Sequence, residues 1–83
     1  MMTYSVEIQV MPLKDLLDPQ GKAVLGSLGH LGIQSVTDVR VGKNILLKID
    51  ASSAEEAVQL AELAAQKLLA NPVMEQFSVK VLP

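Results

Sequence analysis

From Thr3 to Met11 the chain alternates: Tyr4, Val6, Ile8 and Val10 are apolar, and Ser5, Glu7 and Gln9 between them are polar. A period of two over this length predicts a strand with one buried face. Pro12 has no N–H for a ladder and ends it. A linker through Lys14, Asp15 and two leucines leads to Asp18-Pro19-Gln20-Gly21, a helix start. The Asp18 carboxylate can cap a free backbone N–H there, and Pro19 at the first helical position gives up only an N–H that would be unpaired anyway. Val24, Leu28 and Leu31 then recur at i, i+4 and i+7, so one helical face goes to a core. Gly21, Gly26 and Gly29 each cost about 1 kcal/mol relative to alanine inside a helix, so packing must hold it. Gly32 is suited to the left-handed residue that stops it.

Val36 to Gly42 reads as a second strand with Val39 and Val41 inward, and Asn44 to Asp50 as a third with Ile45, Leu47 and Ile49 inward. A tight hairpin at Gly42-Lys43-Asn44 is expected to join them. Ser52 or Ser53 can cap the next helix, with Glu55 or Glu56 completing a capping box. That helix runs from Ala54 to Leu69, with a polar stripe of Glu55, Gln59, Glu62 and Gln66 and an unusually wide apolar arc of Ala, Leu and Val. Asn71-Pro72 ends it, because a residue before proline avoids the helical region. Phe77, Val79 and Val81 alternate as a fourth strand.

The order βαββαβ predicts a single α+β domain over residues 1–83, with a ferredoxin-like antiparallel sheet (strand order 4-1-3-2) and both helices on one face. The other face then shows Ser5, Glu7, Gln9, Asp38, Arg40, Leu46, Lys48, Ser78 and Lys80, with Glu7 between the strands of Lys48 and Lys80. It is either a solvated sheet face or a polar, self-complementary contact between copies.

Composition narrows the function. The chain has 83 residues, a formal net charge of −2, no cysteine and no tryptophan, and one residue each of Tyr, Phe and His. A folded chain of 8.9 kDa leaves about 4,800 Å² exposed and buries little more than 60% of its extended surface. A core that thin needs help, and without disulfides or a thiolate metal site the remaining aid is a partner chain. Mean hydropathy of +0.33 is too high for a disordered segment. The apolar stretches are too short to span a bilayer, and the N-terminus lacks the pattern of a signal peptide, which makes a cytoplasmic protein the expectation. Scattered lysines and the scarcity of aromatics argue against nucleic-acid binding.

No catalytic constellation stands out. His30 is the only imidazole, so no Ser-His-Asp set can be assembled. Asp15 with Asp18, and Glu55 with Glu56, have simpler roles as caps. Arg40 with Asn44 resembles the pair with which acylphosphatases hold phosphate and water, but that family's arginine sits where this chain has Met11-Pro12-Leu13-Lys14. Gly42-Lys43-Asn44 lacks the glycine spacing of a phosphate loop. Gly26, Gly29 and Gly32 lie at the back of a helix, away from the strand-to-helix turn a dinucleotide requires.

Four stretches carry a family resemblance: Leu17-Asp18-Pro19-Gln20-Gly21-Lys22-Ala23-Val24, Leu31-Gly32, Val39-Arg40-Val41-Gly42-Lys43, and Leu68-Leu69-Ala70-Asn71-Pro72-Val73-Met74-Glu75. In this order and spacing they resemble the PurS subunits of phosphoribosylformylglycinamidine synthase, the formylglycinamide ribonucleotide amidotransferase of purine biosynthesis. The resemblance implies a non-catalytic subunit of a glutamine-dependent ligase, forming a homodimer or larger oligomer. It would bridge a glutaminase subunit and a large synthetase subunit so that ammonia passes between them. ATP and magnesium would belong to the synthetase subunit, with no cofactor on this chain. The motif positions give the candidate contact residues: Asp18, Pro19, Gln20, Gly21, Arg40, Gly42, Lys43, Asn71 and Pro72. A small-molecule-binding regulatory domain of the ACT type shares the βαββαβ order and is the alternative. It lacks support from a glycine-rich first loop.

Overall fold

In a computed structural model that describes residues 1–83, the alternating N-terminal segment forms β1 (Met2–Pro12), with Val6, Ile8 and Val10 fully buried. β1 is the centre of a three-stranded sheet. β2 (Lys43–Ala51) and β3 (Glu75–Val81) flank it, both antiparallel, in the order β2-β1-β3. Their inner rows, Ile45, Leu47 and Ile49 on β2 and Phe77, Val79 and Val81 on β3, pack around the buried core as the alternation predicts. Across the ladders Glu7 faces Leu46 and Lys80, whereas Lys48 faces Ser5. Glu7 thus lies between the strands of Lys48 and Lys80 as expected, directly opposite Lys80 and diagonal to Lys48.

One helix covers this sheet. α1 (Pro19–His30) and α2 (Ala54–Ala64) have the predicted caps, Asp18 accepting from the Gly21 N–H and Ser53 from the Glu56 N–H. Glu56 also reaches back to the Ser52 N–H and hydroxyl, one residue before the reciprocal partner of a standard capping box. Gly32, at φ 84°, is the left-handed residue that closes α1. α2 lies across all three strands. Ala57, Ala61 and Ala65, four residues apart, are its buried face, while Leu60 and Leu63 point outward. The small methyl groups let the helix axis approach the sheet closely. From Ala65 to Leu69 the helix widens into a π turn, with the Ala70 N–H donating to the Ala65 carbonyl at 2.9 Å. No helix is long and apolar enough to cross a membrane.

Two expectations are corrected. Residues 33–42 join no strand ladder, and α1 does not pack on the sheet beside α2. The hairpin at Gly42-Lys43-Asn44 is not formed. A two-residue hairpin turn needs positive φ, and Gly32 alone has it. Instead the chain runs on from residue 34 into β2, pinned on both sides of the expected turn. The Asp18 carboxylate accepts from the Val41 N–H at 2.8 Å, and Gly42 lies so close to β1 that a Cβ there would meet the Met11 sulfur at 2.3 Å and the Val10 carbonyl oxygen at 2.4 Å. The α+β ferredoxin-like plan is present with three of its four strands paired inside the chain. The molecule is correspondingly long, 52 × 27 × 14 Å.

Gly21 is the point of closest approach between α1 and this straightened segment: a Cβ would sit 2.1 Å from the Val39 carbonyl oxygen. Gly21→Ala is expected to cost roughly 1–3 kcal/mol, because backbone cannot yield as a side chain does. Gly26→Ala, with open space around its Cβ, gains up to about 1 kcal/mol of helix propensity. Urea midpoints of the two variants check this, and a Gly21→Ala protein as stable as the parent contradicts the close approach.

Asp18 also makes stability depend on pH. Hydrogen bonds from the Val41 and Gly21 amides, with Arg40 nearby, hold its carboxyl below the ordinary value of 3.8 against a partial desolvation that acts in the other direction. A depressed folded pKa contributes stability above the unfolded pKa, and that contribution disappears as pH falls through the folded value. Asp18→Asn, whose amide has one acceptor for two N–H donors, should therefore be less stable than the parent at neutral pH. The gap should narrow as pH falls below the ordinary carboxylate value. A gap of equal size at neutral and at acid pH overturns this role.

Candidate functional site

Three stretches of chain meet at the end of the sheet where β1 stops and β2 begins: residues 12–20, 40–43 and 69–75. Each is tied to the next by main-chain atoms. The Leu13 N–H donates to the Met74 carbonyl at 2.9 Å, extending the β1–β3 ladder by one rung. The Arg40 guanidinium donates to the carbonyls of Pro12 at 3.3 Å and Lys14 at 3.2 Å, and to that of Leu13 between them. A planar cation with five fixed donors is suited to gathering several carbonyls that have no ladder partner. Arg40 is thus engaged by three carbonyls of its own chain.

The third tie is Lys43. Its Nζ donates to the Leu69 carbonyl at 3.1 Å, an acceptor left open where the π turn ends, and lies 3.8 Å from a Glu75 carboxylate oxygen. The other Glu75 oxygen accepts from the Asn71 N–H at 2.7 Å, while the Asn71 side chain accepts from the Val73 N–H at 3.0 Å. The Asn71-Pro72 stop is thereby folded into a rigid turn that also holds Met74. Lys43 and Glu75 are partly exposed, so the pair fixes geometry more than it adds stability.

These braces frame a cavity of about 360 Å³ whose lining includes Leu16, Leu17, Pro19, Gln20, Asn71 and Met74. Of the residues singled out from the sequence, Asp18, Pro19, Gln20 and Asn71 line it, and Gly21, Arg40 and Lys43 build its frame. Pro72 faces a neighbouring hollow with Phe77 and Gln66, and Gly42 lies behind the frame against β1. Motifs far apart in sequence therefore form one site. The sequence reasoning passed over Leu16, Leu17 and Met74 as site residues, although an apolar pair in a polar linker was a visible signal. All three are exposed, Leu17 at 67%. The Asp18 carboxylate is used by two amides, and no group of three His, Cys, Asp or Glu side chains converges anywhere in the chain. The arrangement offers an apolar floor with two amide side chains at its rim, which suits recognition of another surface.

A family model described as PurS, phosphoribosylformylglycinamidine (FGAM) synthase, matches residues 5–83. The PurS subunit of phosphoribosylformylglycinamidine synthase from Mycobacterium leprae is 43% identical over 74 residues, covering 87% of each chain. That from Bacillus subtilis is 38% identical over 78 residues, 94% of this chain and 92% of the relative. Among solved structures, a chain of PurLQS from Thermotoga maritima superposes with a TM-score of 0.91 at 30% identity, covering 99% of this chain and 100% of that one. PurS of Methanocaldococcus jannaschii, one of the subunits of formylglycinamide ribonucleotide amidotransferase in the purine biosynthetic pathway, superposes with a TM-score of 0.85 at 30% identity over 95% of both chains. With its three-stranded sheet, capped Asp18-Pro19 helix and Asn71-Pro72 turn, this chain accordingly belongs to the PurS subunits of phosphoribosylformylglycinamidine synthase.

Proposed function

We propose that this PurS chain is an assembly subunit that joins the glutaminase and synthetase subunits of its enzyme, and that the cavity between Leu17, Gln20, Asn71 and Met74 is a contact point for one of them. The observation that carries the reading is the convergence of the family motifs on one braced, apolar-floored cavity without a free acid, base or nucleophile. The chemistry then belongs to the partners. The glutaminase subunit releases ammonia, the synthetase subunit consumes it with ATP and magnesium, and this chain holds the two so that ammonia is not lost. A self-associated form and a cytoplasmic setting are part of the same reading, since purine precursors and ATP are cytosolic substrates.

Holding two active sites together raises the local concentration of the transferred group without a new catalytic residue. Glutamine-dependent formation of formylglycinamidine ribonucleotide by the purified glutaminase and synthetase subunits should rise at least about tenfold when this chain is added. Leu17→Asp, at an exposed position on the cavity wall, should weaken binding to the partner subunits by about tenfold or more while leaving the fold intact, as expected for a charge placed in an apolar contact. Equal glutamine use with and without the chain would sink the assembly role and leave the regulatory alternative, in which the cavity takes a small molecule.

A further inference from the structure

The loop that leaves β1 carries two of the leucines of the cavity, Leu16 and Leu17, and its own chain holds it by few bonds. Both leucines are exposed, as are Lys14 and Asp15 before them, so little buried apolar contact fixes the course of the loop. Residues 13–17 donate two main-chain hydrogen bonds. The Leu13 N–H reaches the Met74 carbonyl at 2.9 Å, and the Leu16 N–H reaches the Leu13 carbonyl at 3.1 Å. The second closes a four-residue turn, Leu13-Lys14-Asp15-Leu16. No residue other than glycine has positive φ and no peptide bond is cis, which makes this a type I turn. One exposed turn bond is too weak to fix such a loop alone.

Arg40 supplies the rest. Its guanidinium donates to the carbonyls of Pro12 and Lys14, and to that of Leu13, the same oxygen that accepts the turn bond. Three successive carbonyls, from the end of β1 to the second residue of the turn, are thus gathered by one planar group. The next residue, Val41, donates its N–H to the Asp18 carboxylate at 2.8 Å. Two consecutive residues therefore pin both ends of the loop, Arg40 where it leaves β1 and Val41 where it enters α1. Leu16 and Leu17 lie between these pins and share the cavity lining with Asn71 and Met74.

We infer that Arg40 is a positioning residue for the subunit contact: it acts through the Leu13–Leu16 turn, setting where Leu16 and Leu17 stand in the cavity, and does not itself touch the partner. This rests on the reading of the cavity as a contact point. The shape of the guanidinium matters beyond its charge. Lysine would keep a cation near Asp18, where Arg40 helps to hold the carboxyl ionised, but an ammonium cannot reproduce the planar fork that spans three carbonyls. The carbonyls it released would lie at an exposed or half-buried surface, where water can take them, so the turn loosens while the core of Val6, Ile8 and Val10 stays packed. A loop that samples several courses offers the binding shape only part of the time, and affinity falls by that fraction.

Arg40→Lys should make the Leu16 amide exchange with solvent about tenfold faster by NMR, while the amides of Val6, Ile8 and Val10 stay as protected as in the parent. In glutamine-dependent synthesis by the purified glutaminase and synthetase subunits, the concentration of this chain that gives half the full rate should rise about tenfold. Lys14→Pro separates positioning from direct contact. Residue 14 is the second of the turn, its N–H makes no hydrogen bond within the chain, and Leu13 before it continues the ladder of β1, so proline stiffens the turn without losing a bond. Added to Arg40→Lys, it should restore the half-saturating concentration of the parent, which it could not do for a guanidinium that touched the partner. The inference is overturned by a double variant that does not recover, by protection lost throughout β1, or by Arg40→Lys binding as the parent does where Leu17→Asp binds weakly. Leu17→Asp binding as the parent does would remove the cavity contact, and this inference with it.

Discussion

The bond on which the rest of the molecule depends is the pair of hydrogen bonds accepted by the Asp18 carboxylate, from the Gly21 N–H at 3.1 Å and the Val41 N–H at 2.8 Å. The first is an ordinary helix cap. The second joins that cap to a residue just before β2, and with Gly21 seated under the Val39 carbonyl it fixes the direction in which the chain enters the sheet. A carboxylate can serve both donors because it has two acceptor oxygens, and it does so at low cost because it stays ionised at neutral pH. Both the cavity and the straight run into β2 follow from that one side chain, with Arg40 gathering the carbonyls of the preceding loop.

Local rules were legible wherever a residue's own chemistry decided the outcome. The alternation in β1, the Asp18-Pro19 and Ser53 caps, the left-handed Gly32 and the Asn71-Pro72 stop are all formed as the sequence predicts. What the pattern could not show was the partner of each element. Residues 36–42 have a strand's alternation, but strand periodicity says nothing about which edge, or which chain, supplies the ladder. The hairpin reading failed at Gly42 for a specific reason: glycine there serves a close approach to Val10 and Met11 and not a positive φ. The site was legible by motif but not by shape, so Asp18, Gln20 and Asn71 were found while the apolar floor of Leu16, Leu17 and Met74 was not.

The long second helix shows how composition can mislead about direction. An Ala- and Leu-rich helix invites the leucines inward, yet Ala57, Ala61 and Ala65 face the sheet and Leu60, Leu63 and Leu68 do not. The inner row of the sheet explains it. Val6, Ile8 and Val10 already fill the space above β1, so a helix close enough to exclude water must present methyl groups. The leucines are then surplus to the core of one chain, and a surplus of exposed aliphatic surface marks a contact.

Two kinds of surface therefore coexist on this small chain, and the Asp18 clamp governs both. The Val41 bond holds the chain before β2 in its extended course and leaves β2 at the edge of the sheet, while the cap at Gly21 shapes the wall of the cavity. One carboxylate thereby sets both the free sheet edge and the shape of the cavity, because its two oxygens bind amides on two separate segments of the chain.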